Sequence, residues 1–290
     1  MKILAFGTYP TRIPVHGGQR RASQIGAYYT ANGAEYAYAC VYQPRAYSAD
    51  SVGPNDYPFG ALEGLFAKAP FIDDLASGEF AATRPEVYNN FVTLLDTYQP
   101  DVVQLEQPFL WPLVRRLIKE GKLQGAKLVY SSHNVEAPLK SDLLESAGVS
   151  REINVQVERR IADLENELAD SADLIIAVSQ SDADAYRAMN DLQRPVIIRN
   201  GADRIGHISK PVYGEEMLSE EYMVFVGSAY PPNIDGFCKY VLKFGLYGFP
   251  PEKRFAICGG VSEGIYQSSL YAPHQSSYQD RVQFFNCPSD

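Results

Sequence analysis

Met1-Lys-Ile-Leu-Ala-Phe-Gly-Thr-Tyr-Pro10 opens the chain, and Gly17-Gly18-Gln19-Arg20-Arg21 follows after a short loop. The first run is apolar and ends at turn residues, which predicts a buried strand. The glycine pair predicts the mouth of a helix. A strand leading through a loop into a helix start presents bare N–H groups and the positive end of a helix dipole above the strand. The natural guest is an anion, often a phosphate, and glycines let it approach the backbone with no Cβ in the way. A tight strand-to-helix turn without a ligand is the alternative reading of the same residues. The stretch is neither a P-loop nor a dinucleotide fingerprint, because the Lys-Ser/Thr pair and the G-x-G-x-x-G spacing are both missing.

Outward from this stretch, apolar strand-like runs recur at residues 3–6, 36–41, 102–105, 128–131, 174–178 and 196–198, with helical patterns between them. That alternation predicts an α/β fold with a parallel sheet covered on both faces. The clearest helix is expected over 151–169, where Ile153, Val157, Ile161, Leu164 and Leu168 recur at spacings of three and four. From 42 to 83 the pattern lapses into Pro, Gly, Tyr and Asp, which reads as a lid-like insertion over the carboxyl edge of the sheet. A second alternating set follows Gly201-Ala202-Asp203: strands at 222–226, 255–258 and 282–285, and helices at 234–244 and 262–270. The expected organisation is an N-terminal Rossmann-like domain over 1–204, a linker over 205–221 and a partial C-terminal Rossmann-like domain over 222–290. The second domain is read as partial because a doubly wound domain usually needs about five or six strands.

With 290 residues, 46% hydrophobic and 21% charged, the chain can bury a core as one large domain or two ordinary ones. A net charge of −9 argues against a nucleic-acid partner. It also repels anionic lipid on average, although a local basic patch leaves peripheral membrane contact open. Cys40, Cys238, Cys258 and Cys287 form no C-x-x-C pair, and Cys40 and Cys258 sit in apolar runs. They read as small buried hydrophobes in a reducing compartment, not as a disulfide set or a zinc site. The N-terminus carries one Lys and a run already assigned to a strand, so it does not read as a signal peptide. No apolar run reaches the roughly 18 residues a bilayer span needs. A cytoplasmic protein is expected, with the inner face of the membrane left open.

Five stretches carry a family resemblance. They are the glycine pair with Ala31-Asn32-Gly33 closing its helix; Ser131-Ser132-His133-Asn134-Val135-Glu136 at a strand end; and Ala172-Asp173-Leu174-Ile175-Ile176-Ala177-Val178-Ser179 after an amphipathic helix. The others are Val196-Ile197-Ile198-Arg199-Asn200-Gly201-Ala202-Asp203, and Phe225-Val226-Gly227-Ser228 followed by Pro232-Asn233-Ile234-Asp235. In this order they resemble the nucleotide-sugar glycosyltransferases of the two-Rossmann-domain GT-B type, specifically glycosyltransferase family 4. The resemblance implies two facing Rossmann domains, with the acceptor mainly on the first, the sugar nucleotide mainly on the second and the reaction in the cleft. It also implies sugar transfer with retention of anomeric configuration and without metal or other cofactor.

His133 stands at a strand's carboxyl end, where open α/β sheets bind ligands, and the resemblance implies contact with the transferred sugar. A neutral imidazole can both donate to and accept from sugar hydroxyls; a buried, hydrogen-bonded histidine is the structural alternative. Gly17, Gly18, Gly227 and Ser228 are candidates for donor phosphate or sugar. Arg20 and Arg21 could hold an anionic acceptor, since an arginine fork suits phosphate, or could form a solvated helix face. Asn134 and Glu136 are further acceptor candidates, and Glu136 could instead cap the next segment. Gly259, Gly260 and Asn286 are candidates for nucleotide contact. Asp182-Ala183-Asp184 matches the metal-nucleotide signature of another glycosyltransferase fold, yet its place after Ser179 reads as a helix start that favours acidic residues.

The chain departs from the family pattern in two places. The Arg and following Lys that often neutralise the departing diphosphate are not evident after Gly227-Ser228, where Lys239 and Lys243 come only further on, although charge on that diphosphate is what such a site must stabilise. The paired glutamates that the resemblance implies for donor ribose and sugar find no counterpart up to Asp290. The function expected is a retaining glycosyltransferase moving sugar from a nucleoside-diphosphate sugar to a glycan or glycolipid acceptor in surface polysaccharide assembly. The alternative is a catalytically incomplete binding or scaffold protein built on the same N-terminal domain. An epimerase would need paired acids with a His at a water-addition site, and no such constellation stands out.

Overall fold

β1 (Lys2–Gly7) is buried from Ile3 onward and pairs in parallel on both sides, with β2 (Glu35–Tyr42) and β4 (Val102–Glu106). This is the behaviour expected of a short apolar run in a sheet covered on both faces. The structure is a computed structural model, and it describes residues 1–123, 125–201, 222–242, 254–278 and 281–286. The chain divides into two units, Met1–Ala202 and Asp203–Asp290. The segment read as a linker, 205–221, lies outside the described residues.

Unit 1 is a parallel sheet of seven strands in the order β3-β2-β1-β4-β5-β6-β7. The remaining strands are β3 (Asp56–Pro58), β5 (Lys127–Ser131), β6 (Leu174–Ala177) and β7 (Val196–Ile197). Its helices are α1 (Gly17–Ala31), α2 (Asp73–Thr83), α3 (Pro85–Tyr98), α4 (Trp111–Lys119), α5 (Glu136–Ser146), α6 (Arg151–Ser171) and α7 (Gln180–Met189). The strand order reverses between β1 and β4, so a crevice opens above the carboxyl ends of those two strands. The α6 stripe packs as its periodicity predicts: Val157, Ile161 and Leu168 are fully buried and join the core under β5.

Residues 42–83 differ from the lid expected there. β3 pairs with β2 (Cys40↔Asp56, Tyr42↔Pro58), and Phe59, Ile72, Leu75 and Ala76 enter the main core. β3 has only three residues and ends in Pro58, too short for any alternating pattern. α2 buries small residues, among them Ala76, Ser77, Gly78 and Ala81. Its close packing depends on Gly78, where a Cβ would collide with the Phe109 carbonyl. Small side chains carry little hydrophobic signal, so the helix is hard to read from sequence.

Unit 2 holds a parallel sheet of three strands in the order β10-β9-β8, made of β8 (Tyr222–Val226), β9 (Arg254–Cys258) and β10 (Val282–Phe285). α8 (Pro231–Gly236) runs on as a wider helical turn over Phe237–Leu242, and α9 (Val261–Tyr266) follows β9. Phe237 anchors its core between Phe225 and Phe255, with ring centroids 5.1 and 5.6 Å away. Cys40 and Cys238 are buried and Cys258 half-buried, all as free thiols, while Cys287 lies outside the described residues.

Candidate functional site

The site starts from an anomaly in β4. Its sequence Val-Val-Gln-Leu-Glu alternates, and both faces of the strand are buried. Val103 and Leu105 share one face with Leu4 and Phe6 of β1 and with Leu128 and Tyr130 of β5, all in the apolar core. Gln104 and Glu106 point to the other face, at 0% and 1% exposure. Their neighbours there are Ala5 and Val129 beside Gln104, and Ser131 beside Glu106. Buried polar groups must find partners, and these do so in a chain. Tyr29 of α1 donates to Gln104 Oε1 at 2.8 Å, and Gln104 Nε2 donates to Glu106 Oε1 at 2.5 Å. Glu106 Oε2 stands 2.8 Å from His133 Nε2, and His133 Nδ1 stands 3.1 Å from the Tyr9 hydroxyl.

Each member is held by its element. Tyr9 follows β1, its carbonyl accepts from the Tyr38 hydroxyl at 2.8 Å, and its ring meets the His16 ring edge-on at 4.9 Å. Burial, then the charges of Glu106 and Glu136, push the Tyr9 phenol well above its usual range. His133 sits two residues beyond β5 on a pinned turn. Ser132 Oγ donates to the Asn134 carbonyl at 2.8 Å, and Tyr186 of α7 reaches that carbonyl at 3.0 Å. These three groups gather above the β1–β4 switch point.

α1 faces this layer with an unusual surface. Its buried residues are Gln19, Arg21, Ala22 and Gly26, with no large apolar side chain among them. His16 caps the helix by accepting from Gln19 N, and Gln19 Oε1 accepts in return from His16 N at 3.2 Å, closing a capping box. Gly18, in the first turn, lies directly against the chain just described. A Cβ there would fall 2.7 Å from the Tyr9 hydroxyl and 3.5 Å from His133 Nδ1. Gly17 faces open space, with nothing within 4 Å of an added Cβ. The glycine stretch and His133, far apart in sequence, therefore meet at one place.

Arg20 is exposed on α1, whereas Arg21 is buried at 7% exposure. Arg21 Nη1 donates to the Ile198 carbonyl at 3.0 Å and to Asn200 Oδ1 at 2.9 Å. Burial pushes its guanidinium down from the usual value, opposed by Glu106. Glu136, at 2% exposure, accepts weakly from Gln107 Nε2 at 3.3 Å and lies 3.5 Å from the exposed Asn134 amide. Burial, reinforced by Asp74 and Glu165, raises its carboxyl to about 7 against the pull of Lys140 and His133. The capping of α5 falls to Glu165, whose two oxygens accept from the backbone N–H groups of Glu136 and Ala137 at 2.8 and 3.0 Å. Asp182 serves the start of α7, its N–H donating to Ser179 Oγ at 3.1 Å. Among the described residues no group of three His, Cys, Asp or Glu side chains could hold a metal ion.

In unit 2, Gly227, Gly259 and Gly260 come together at the carboxyl edge of the small sheet. Gly259 has φ +94°, and a Cβ there would lie 2.5 Å from the Gly227 carbonyl; one on Gly260 would lie 3.0 Å from Ala229 N. Backbone thus fills the room that these glycines leave. Ser228 is exposed, with Asn233 Nδ2 donating to its carbonyl at 3.2 Å, and Asn286 is exposed just beyond β10. Gln104, Glu106 and Tyr9 are site residues that the sequence reading missed. The readable signal was a pair of alternate polar residues inside a strand with strands on both sides.

The model of the family described as Glycosyltransferase Family 4 matches residues 17–204. A search of curated protein sequences gave no match. Among solved structures, sucrose-phosphate synthase from Thermosynechococcus elongatus superposes with a TM-score of 0.66 at 12% identity, covering 99% of this chain and 71% of that one. The catalytic domain of starch synthase IV from Arabidopsis thaliana, bound to ADP and acarbose, gives 0.56 at 10% identity, covering 100% and 74%. The lipopolysaccharide outer core galactosyltransferase WaaB, in its apo form, gives 0.53 at 14% identity, covering 100% and 69%. At these identities the likeness is one of fold: a mostly parallel α/β architecture of GT-B type.

Proposed function

The chain belongs to glycosyltransferase family 4, and from that premise we propose that it transfers a sugar, with retention, from a nucleoside-diphosphate sugar to a glycan or glycolipid acceptor in surface polysaccharide assembly. One observation carries the reading: a buried carboxylate–imidazole–phenol chain, Glu106–His133–Tyr9, ends beside a glycine at a helix N-terminus over the strand switch point. Charged and polar groups cost free energy when buried, and this arrangement places them where α/β sheets receive ligands.

In the proposed reaction the acceptor hydroxyl attacks the anomeric carbon on the face from which the diphosphate departs. The bond from anomeric carbon to phosphate oxygen breaks as the glycosidic bond forms, and the acceptor proton passes to the leaving phosphate oxygen. No carboxylate is assigned as a covalent nucleophile. His133 positions the transferred sugar. Gly17 and Gly18 offer backbone N–H groups at the start of α1, and Arg20, Arg21, Asn134 and Glu136 are assigned to the acceptor side. Gly227 and Ser228 are assigned to the donor phosphates, and Gly259, Gly260 and Asn286 to the nucleotide. The site acts in the cytoplasm, with the acceptor presented at the inner membrane face. No helix among the described residues is long and apolar enough to cross a membrane.

Calorimetric titration with UDP, GDP and their sugars tests the reading. Saturable binding of one nucleotide series is expected, with the diphosphate and its sugar competing for one site. Absence of binding across the panel would sink the transferase assignment.

A further inference from the structure

Both ring nitrogens of His133 are already engaged, Nε2 by Glu106 and Nδ1 by Tyr9. A sugar hydroxyl therefore finds neither nitrogen free, and the imidazole must act through a partner. We infer that Glu106 fixes the tautomer of His133, and that this tautomer aims the Tyr9 proton inward so that the phenol oxygen meets a ligand hydroxyl as an acceptor. The nature of the ligand rests on the family reading above; the proton arrangement does not.

Tyr29 donates to Gln104 Oε1, which turns the amide so that Nε2 faces Glu106 Oε1. A carboxylate only accepts, so Glu106 takes one hydrogen bond from Gln104 and one from His133. The imidazole must then carry its proton on Nε2, leaving the lone pair on Nδ1. That lone pair faces the Tyr9 hydroxyl at 3.1 Å, and Tyr9 becomes the donor. Tyr9 keeps its proton for this purpose, because burial holds the phenol well above its usual range. With the proton spent inward, only lone pairs of the Tyr9 oxygen remain for a ligand. Gly18 packs directly against that oxygen, where a Cβ would stand 2.7 Å away.

The surroundings favour this arrangement. From α1, Arg21 and Tyr29 face Glu106, and the Arg21 charge attracts the carboxylate. From β2, Tyr36 and Tyr38 also feel the Glu106 charge. His16 meets the Tyr9 ring on the other side, and burial, then His133, pushes its imidazole below the usual value. Glu136 stands on the far side, with Lys140 and Asp74 behind it. Glu106 and Gln104 are thus positioning residues, and Tyr9 is the group that would touch the ligand.

The test is the ¹⁵N side-chain spectrum of the ligand-free full chain at neutral pH, with His133 assigned by comparison with His133→Gln. The expected result is a neutral ring with a protonated Nε2 and an unprotonated Nδ1. An Nδ1-protonated ring, or an imidazolium, overturns the inference without any variant. Glu106→Gln then sharpens it. The new amide must turn its oxygen to the Gln104 NH₂ and its own NH₂ to His133, which moves the ring proton to Nδ1; an unmoved proton contradicts the assigned relay. With whichever sugar nucleotide turns over, Tyr9→Phe is expected to lower kcat/KM about tenfold, the worth of a hydrogen bond lost from a desolvated site. An unchanged kcat/KM removes Tyr9 from contact with the ligand. Because the spectrum needs no ligand, its outcome is independent of whether sugar transfer is the activity.

Discussion

The two faces of the seven-stranded sheet are built from opposite chemistry. On one, Leu4, Phe6, Val103, Leu105 and Tyr130 pack with Phe91 of α3, and Phe6 meets Phe91 edge-on at 4.9 Å. On the other, the same strands set Gln104, Glu106 and Ser131 among Ile3, Ala5 and Val129, beneath α1, a helix that buries Gln19 and Arg21. This second face also leaves polar atoms unmatched: Arg21 Nε and Nη2, Tyr36 Oη and Ser131 Oγ are buried without hydrogen-bond partners among the described residues. A buried polar atom that truly lacks a partner costs about 1–3 kcal/mol. One face of the sheet therefore supplies stability, and the other spends some of it on a preorganised polar layer. Natural proteins depart from good packing chiefly where function asks for it.

Substitutions on the two faces should separate stability from activity. Phe91→Ala opens a cavity under β1 and should cost about 3–5 kcal/mol in urea unfolding, while turnover per folded molecule is kept. Equal losses of stability and turnover would break the comparison. On the polar side, Glu136→Gln should do the reverse. A carboxyl raised to about 7 when folded binds its proton more tightly folded than unfolded. The native state thus loses stability as pH rises from about 4.5 toward 7. The neutral amide avoids this loss, so the variant should be more stable than wild type by about 3 kcal/mol at pH 8 and by only about 1 kcal/mol at pH 5. A pH-independent difference in urea midpoints would contradict the assigned burial of Glu136.

Smaller effects follow. Glu165→Gln leaves one of two α5 N–H groups without its acceptor. It should cost about 1–2 kcal/mol, visible as faster amide exchange at Glu136 and Ala137; unchanged exchange would show that the cap is dispensable. Gly18→Ala should change stability least, by about 1 kcal/mol, because only the far end of the Tyr9 side chain has to give. It should nevertheless depress turnover, since its methyl group takes the space in front of the Tyr9 hydroxyl. Full turnover with a folded chain would remove Gly18 from the site.

Much of the fold was legible because periodicity and burial agree. The α6 stripe at Ile153, Val157, Ile161, Leu164 and Leu168 needs no tertiary information. β3 was not legible: three residues ending in proline find their place only by pairing with β2. His133 and Gly18 were readable as separate signals, a histidine at a strand end and a glycine at a helix start. Their meeting depends on the order β1-β4-β5, which no local pattern contains. Gln104 and Glu106 were hidden because a polar residue in a strand ordinarily faces water, whereas this strand is covered on both sides. Arg21 reads in sequence as an exposed anion fork, whereas it is buried, with Nη1 donating to Ile198 and Asn200, which are distant in sequence.

The most direct measurement is product analysis by NMR for the wild type and His133→Ala, each shown to be folded, incubated with UDP- and GDP-sugars and a glycan or glycolipid acceptor extract. The account predicts release of a nucleoside diphosphate and a product that keeps the donor's anomeric configuration. It also predicts that turnover falls about a hundredfold in His133→Ala, as when a preorganised polar group is lost from a reaction centre. An inverted product, or a His133→Ala chain that turns over as fast as the wild type, would contradict it.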